Sequence, residues 1–209
     1  MDDLAPPTLF VLSPARTGGP RASQLAHSRG VLGEQLREGR APLGDVFAWL
    51  SALYFRGKLA YAQRFASVPG DLPGTLIMAP GRGLCPPSLP ISVGDLRAMG
   101  EIDVESEPFA VPLRRAAVAA LTAYGQLTRV VLLGSIATGK YLDVLLDVFG
   151  ARLLFPADFV GRGDMSRGGL LLRAARGGDE LAYAMIAGAT LHGTRPPKLP
   201  KLPPTIGGS

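Results

Sequence analysis

A glycine-rich segment with the residues to bind phosphate follows the apolar run Arg129 to Leu133. It is Gly134-Ser135-Ile136-Ala137-Thr138-Gly139-Lys140-Tyr141. It nearly matches the loop G-x-x-x-x-G-K-[ST], in which amides and the lysine hold phosphate and the last hydroxyl binds Mg²⁺. Tyr141 stands where that hydroxyl residue belongs, so the magnesium ligand is missing. The segment predicts an anion-binding loop, and a nucleotide-binding enzyme with a degenerate loop at 134–141 is one alternative.

Three further loops place a cation beside glycine or a small hydroxyl residue. They are Ser13-Pro14-Ala15-Arg16-Thr17, Pro80-Gly81-Arg82-Gly83-Leu84 and Gly161-Arg162-Gly163-Asp164-Met165-Ser166-Arg167. Loops at the carboxyl ends of parallel strands gather at one edge of a sheet, where ligands bind. We therefore predict one cationic cleft, whose phosphate-binding or nucleic-acid-binding residues are Arg16, Arg82, Lys140, Tyr141, Arg162, Ser166 and Arg167.

Short apolar runs and helical periods predict the elements that carry these loops. Strands are expected at 8–12, 75–78, 129–133 and 152–155, with an edge strand at 181–186. One or two helices are expected between 42 and 65, with a mild break at Gly57. Further helices are expected after Ser92, whose spacing to Asp95 suits a capping box, and at 108–124, 141–149 and 166–176. This alternation predicts an α/β fold with a mixed, partly parallel sheet of about four to five strands flanked by helices.

The length and composition indicate one domain. The chain has 209 residues, of which 47% are hydrophobic, and this is enough to bury a full core. We expect a domain at 8–194, an N-terminal tail at 1–7 and a proline-rich, basic C-terminal tail at 195–209. No apolar run approaches the roughly 20 residues of a membrane span, and no signal peptide is evident at the start of the sequence. A cytoplasmic protein without a membrane segment is therefore expected.

The titratable residues favour an anionic partner over a metal. Cys85 is the single cysteine and the two histidines lie far apart, so no metal or other cofactor is expected. The net charge is +5 at pH 7 and is carried mainly by arginine. Arginine binds phosphate in a bidentate fork, which makes nucleic acid the expected partner.

Two of these loops also carry a family resemblance. Leu9-Phe10-Val11-Leu12-Ser13-Pro14-Ala15-Arg16-Thr17 is similar to the L-I-x-x-S-P-A-K-T opening of the peroxide-stress YaaA family, with Arg16 where that family has Lys. The 161–167 segment resembles that family's A-R-G-x-M-S-R motif, and Leu84-Cys85-Pro86-Pro87 resembles its middle G-L-x-x-P segment. The three segments come in the same order. The resemblance implies an α/β fold like that of uracil-DNA glycosylases, a positively charged cleft, and DNA binding under oxidative stress.

The first hypothesis is thus a nucleic-acid-binding protein of the YaaA-like type, whose cleft accepts the phosphate backbone and a flipped base. Tyr54, Tyr61 or Tyr141 would stack on that base. A bolder form adds cleavage of a glycosidic bond, with Asp164 orienting water or stabilising a cationic sugar and with Ser13 and Ser135 as hydrogen-bond donors. The nucleotide-binding enzyme and a non-catalytic interaction protein remain the alternatives.

Overall fold

Strands and helices alternate along most of the chain. The computed structural model describes residues 6–136 and 140–187, with the backbone alone for Lys140. The strands within these ranges are β1 (Thr8–Leu12), β2 (Ala41–Pro42), β3 (Thr75–Ala79), β4 (Gly83–Cys85), β5 (Pro90–Ile91), β6 (Arg129–Leu133), β7 (Leu153–Pro156) and β8 (Tyr183–Met185). The helices there are α1 (Pro20–Ala26), α2 (Val31–Arg37), α3 (Leu43–Phe65), α4 (Val93–Gly100), α5 (Glu107–Tyr124), α6 (Lys140–Phe149) and α7 (Asp164–Gly177).

Six of the strands form one mixed sheet in the order β4-β3-β1-β6-β7-β8. The four inner strands run parallel, and Val11 of β1 lies opposite Leu76 on one side and Leu132 on the other. β4 and β8 run antiparallel at the two edges. Every residue of β1 and β3 is buried, as expected for parallel strands that helices cover on both faces. The predicted α/β fold class is confirmed, with a wider sheet than expected.

The strand order reverses at β1. The chain goes from β1 to β3 on one side of the sheet, and later from β6 to β7 on the other side. Because crossovers between parallel strands are right-handed, the two connections place α3 and α6 on opposite faces. At such a reversal a crevice opens outside the carboxyl ends of the two strands, here β1 and β6. Among the described helices, none is both long and apolar enough to cross a membrane.

Helix α3 is broken at Ala52, so the expectation of a break at Gly57 was wrong. Ala52 has φ 47° and ψ −121°, which is close to the first central position of a type II′ turn and favours glycine. The break frees backbone carbonyls from the helical ladder. Arg21 donates to the Trp49 carbonyl at 2.9 Å and Arg56 donates to the Ala52 carbonyl at 3.3 Å, so side chains replace the lost partners.

Gly57 instead allows α3 to approach α7 closely. A Cβ on Gly57 would lie 2.6 Å from the carbonyl oxygen of Gly168, and a Cβ on Gly168 would lie 2.8 Å from Cα of Tyr54. Both distances are shorter than real Cβ contacts, and both involve backbone that cannot rotate away. The crossing therefore requires glycine on both helices, and it brings the start of α7 against the middle of α3.

Several loop predictions need correction. Gly83 and Leu84 belong to β4, so the 80–84 segment is the turn of a β3-β4 hairpin and not a loop between a strand and a helix. Helix α7 begins at Asp164 with Gly163 as its N-cap, which places Asp164 and Ser166 in the first turn rather than in the preceding loop. The capping box of Ser92 and Asp95 is present at α4.

The strain at Ala52 predicts that Ala52→Gly stabilises the protein. Glycine adopts positive φ without a Cβ clash, so we expect the free energy of unfolding to rise by about 1 kcal/mol in urea denaturation. Ala60→Gly, inside the regular second half of α3, is the control and should lower it by about 1 kcal/mol. Equal destabilisation by both variants would contradict the interpretation that the backbone is strained at Ala52.

The α3–α7 crossing predicts that alanine substitution at two adjacent glycines changes the stability of the protein differently. Gly168→Ala should destabilise the protein by about 2 kcal/mol because its methyl group meets the backbone of α3. Gly169→Ala is the matched control, since its Cβ would meet only the flexible end of Arg173 at 3.4 Å. It should be neutral or slightly stabilising because alanine favours the helix. Thermal unfolding of both variants measures the difference.

Candidate functional site

The carboxyl ends of β1 and β6 meet at Ser13 and Gly134. The Ser13 amide donates to the Leu133 carbonyl at 3.1 Å, which continues the parallel ladder one residue beyond β1. A Cβ on Gly134 would lie 2.7 Å from Cβ of Ser13 and 2.9 Å from the Tyr141 hydroxyl. Glycine at 134 therefore lets a serine from one strand end and a tyrosine from α6 approach each other at the crevice.

Tyr141 is part of this packed edge and does not offer a stacking surface. Only 6% of the residue is exposed. Its hydroxyl donates to the Ser135 carbonyl and accepts from the Ser135 amide, both at 3.0 Å. Burial raises the pKa of Tyr141, so the phenol stays protonated at neutral pH. The expectation that Tyr141 stacks on a base was wrong, and the Ser135 amide is engaged within the protein instead of facing a phosphate.

Lys58 is a site residue that the sequence did not single out. It extends from α3 to the end of β1 and is 2% exposed. Its Nζ lies 2.7 Å from the Ser13 carbonyl oxygen and 2.9 Å from Ser13 Oγ. The same nitrogen lies 4.8 Å from the Tyr54 ring centroid and 4.6 Å from the Phe55 ring centroid. The available signal was its helical spacing from the buried residues Phe55 and Tyr61.

The surroundings of Lys58 favour its neutral amine. Desolvation lowers the pKa of Lys58 to about 7, while the charge of Asp164 acts weakly in the opposite direction. No described carboxylate lies within ion-pair distance of Nζ. Asp164, the carboxylate whose charge acts on Lys58, pairs with Arg167 at 3.8 Å, and its side chain is 68% exposed. A buried amine without a counter-ion gives up its proton far more easily than a lysine in water.

Tyr54, one helical turn before Lys58, has a hydroxyl without a partner. This oxygen is buried and forms no hydrogen bond of ordinary geometry with a described group, although the Arg167 guanidinium lies close enough to favour the ionised phenol. Burial raises the pKa of Tyr54, and the nearby Arg167 guanidinium opposes that rise only in part. A buried hydroxyl without a partner costs free energy, and in such a position water or a ligand can supply the missing hydrogen bond.

Arg167 and Asp164 reach this region from the first turn of α7. Arg167 donates to the Phe159 carbonyl at 3.1 and 3.3 Å, and its guanidinium lies 5.3 Å from the Phe159 ring centroid. Its side chain is only 12% exposed. The charges of Arg167 and Asp164 act on both Tyr54 and Tyr141. The structure thus brings these two predicted residues near Tyr54 and Tyr141.

The remaining predicted residues fall into four groups. Arg162 donates to the Asp158 carbonyl at 2.9 Å and to Ser166 Oγ at 3.3 Å, so it lies at the start of α7. Arg16 is exposed in the loop that follows Ser13. Arg82 pairs with Asp95 of α4, and its charge is absent from those that act on Lys58, Tyr54 or Tyr141. The Lys140 side chain and residues 137–139 lie outside the described residues, as do residues 1–5 and the tail at 195–209.

Tyr61, the third tyrosine expected to stack on a base, is a core residue. It is fully buried, its ring packs edge-on against Phe10, and its hydroxyl bonds with the Tyr183 hydroxyl at 2.7 Å. The Leu181 amide also donates to it at 2.8 Å. The expected stacking role of Tyr61 was therefore wrong. This tyrosine instead links α3 to the edge strand β8 through its hydrogen bond with Tyr183.

Within the described ranges no group of three or more His, Cys, Asp or Glu residues is placed to hold a metal ion. Comparison of the chain with protein-family models, with curated proteins and with solved structures gave no match in any of the three. The site is therefore interpreted from its own chemistry.

The burial of Lys58 predicts a pH-dependent stability. Its pKa falls from 10.5 in the unfolded chain to about 7 in the folded protein, so the unfolded state binds more protons between these values. Stability from this group therefore rises with pH across that window. Between pH 7 and pH 9 the wild type should gain about 2 kcal/mol relative to Lys58→Met, measured by urea denaturation. Parallel pH profiles of the two proteins would contradict this.

Proposed function

We propose that this protein binds nucleic acid, with DNA as its first candidate, at the crevice between the ends of β1 and β6. One observation carries the proposal: the buried, unpartnered hydroxyl of Tyr54 lies beside the Arg167 guanidinium at the point where the strand order reverses. An anionic group that enters there would accept from the hydroxyl and neutralise the arginine. The hydroxyl has no partner of ordinary hydrogen-bond geometry among the described groups, whereas Arg167 already pairs with Asp164 at 3.8 Å, so an incoming anion would compete with that carboxylate.

The surrounding cations support a phosphate ligand. Arg16 is exposed beside Ser13, and Arg162 lies beside Ser166 in the first turn of α7. The first turn of a helix also presents amides that favour an anion. With a net charge of +5, the chain attracts a polyanion at long range. A phosphate backbone that crosses this edge would meet Arg16, Arg162 and Arg167 in turn.

Recognition of a base would depend on hydrogen bonding at this site. Tyr61 and Tyr141 are buried, and the ring of Tyr54 faces Lys58. The Tyr54 hydroxyl remains as the polar group for a base edge. Cleavage of a glycosidic bond, a DNA-protective role under oxidative stress and a cytoplasmic location belong to the same proposal. In such cleavage Asp164 would orient water, and its 68% exposed side chain suits contact with solvent.

No observation on the described residues favours the nucleotide-binding alternative. The Ser135 amide, which a phosphate-binding loop would turn toward its ligand, donates to the Tyr141 hydroxyl. The non-catalytic interaction protein likewise gains no specific support from the described contacts.

The proposal predicts a salt-dependent interaction with DNA. Fluorescence anisotropy with labelled duplex and single-stranded DNA should show binding that weakens steeply as KCl increases. Arg167→Ala should lower the affinity about tenfold and reduce the slope of log K against log salt by about one, because one phosphate contact is lost. Arg167→Lys, which keeps the charge, should retain that slope.

Arg114→Ala is the matched control for this experiment. It removes the same charge from α5, where Arg114 pairs with Asp147 at the surface. Its affinity and salt slope should equal those of the wild type. Equal losses in both alanine variants, or no binding at low salt, would overturn the proposal.

A further inference from the structure

Ser13 and Lys58 are arranged as a hydroxyl and a base. Lys58 Nζ lies 2.9 Å from Ser13 Oγ and 2.7 Å from the carbonyl oxygen of the same residue. A neutral amine has one lone pair. If one N–H donates to the carbonyl, the lone pair is left to accept the Ser13 hydroxyl proton. This is the geometry by which a lysine activates a serine nucleophile.

We propose that Ser13 and Lys58 form a nucleophile and general-base pair that hydrolyses esters of anionic compounds. This activity goes beyond nucleic-acid binding and does not require it. It makes use of the Ser13–Lys58 contact, which phosphate binding at Arg167 leaves unexplained.

The surroundings keep the amine competent as a base. The aromatic rings of Tyr54 and Phe55 lie on one side of Nζ, and no described carboxylate approaches it within ion-pair distance. Desolvation lowers the pKa of Lys58 to about 7, so a large share of the amine is unprotonated at neutral pH. A base with a pKa near the working pH is the most effective.

The neighbouring groups supply what an ester substrate needs. Among the described residues the Tyr54 hydroxyl has no partner of ordinary hydrogen-bond geometry, and burial keeps it protonated, so it can donate to the oxyanion that develops on the attacked carbonyl. The Arg167 guanidinium beside it attracts the anionic part of the substrate. Ser13 and Lys58 are both buried, with 7% and 2% of each residue exposed, so the pair is largely shielded from bulk water.

The reaction balances without a cofactor. Ser13 Oγ attacks the carbonyl carbon while its proton passes to Lys58 Nζ, and the new Oγ–C bond gives a tetrahedral oxyanion. The C–O bond to the leaving alcohol then breaks, and the Lys58 ammonium returns the proton to that oxygen. Water attacks the acylated Ser13, again with Lys58 as the base, and releases a carboxylic acid and the free serine.

The first test is covalent labelling of Ser13 without nucleic acid. A fluorophosphonate should add to the wild type with loss of fluoride, and intact mass with peptide mapping should locate the adduct on Ser13. Ser13→Ala should not react, and Lys58→Met should react at least about a hundredfold more slowly. Ser88→Ala is the control. It removes an exposed hydroxyl that is distant from Ser13 in the sequence, and it should react like the wild type.

The second test distinguishes a base from a residue that only supports the fold. The labelling rate should rise with pH around an apparent pKa near 7, and this dependence should vanish in Lys58→Met. Tyr54, whose ring lies beside Nζ, does not mimic this dependence, because burial raises its pKa, and the raised pKa of Tyr141 excludes that tyrosine as well. Asp164→Asn, whose carboxylate also acts on Lys58, should shift the profile slightly to lower pH.

The third test concerns the substrate. Hydrolysis of mono-p-nitrophenyl succinate, which carries a carboxylate, should exceed that of p-nitrophenyl butyrate, and Arg167→Ala should raise KM for the succinate alone. Absence of an adduct on wild-type Ser13 would overturn the proposal that Ser13 and Lys58 act as nucleophile and base. Equal labelling of the wild type and a folded Lys58→Met would overturn it as well. Equal hydrolysis of the two esters would overturn the preference for anionic substrates. None of these results bears on DNA binding, which the anisotropy measurements test separately.

Discussion

The contact of two helix backbones at Gly57 and Gly168 determines how the site is assembled. With no side chain on either residue, α7 lies directly on the second half of α3. The first turn of α7 then comes beside Tyr54 and brings Arg167 and Asp164 with it. A wider spacing would separate the cations of α7 from the residues at the end of β1. The site thus depends on the absence of two methyl groups.

The second constraint is the cost of burying an amine. Lys58 is buried and has no carboxylate partner among the described residues, and a hydrophobic side chain of similar length would fill the same space without the penalty of desolvation. Its contacts with Ser13 and two aromatic rings recover only part of that cost. The proposed serine and lysine pair would account for an amine in this position.

The sequence predicted best those features that depend on local patterns. The inner strands, α5 and the capping box at Ser92 follow from apolar runs, helical period and side-chain spacing. The β3-β4 hairpin and the break at Ala52 were missed, because both depend on tertiary contacts. Lys58 was missed because a charged residue on a helix usually faces solvent. That Tyr54 lacks a partner could be known only once α7 had been placed.

The two antiparallel edge strands limit how the sheet can associate with other chains. β4 and β8 have three residues each, whereas β1, β3 and β6 have five. Short edges present few unpaired amides and carbonyls to a neighbouring chain, and so they disfavour the edge-to-edge pairing that starts aggregation. The long, largely apolar strands, which would be the most prone to aggregate if exposed, lie in the interior of the sheet. The strand order that places the ends of β1 and β6 side by side thus also keeps the longer strands away from the edges of the sheet.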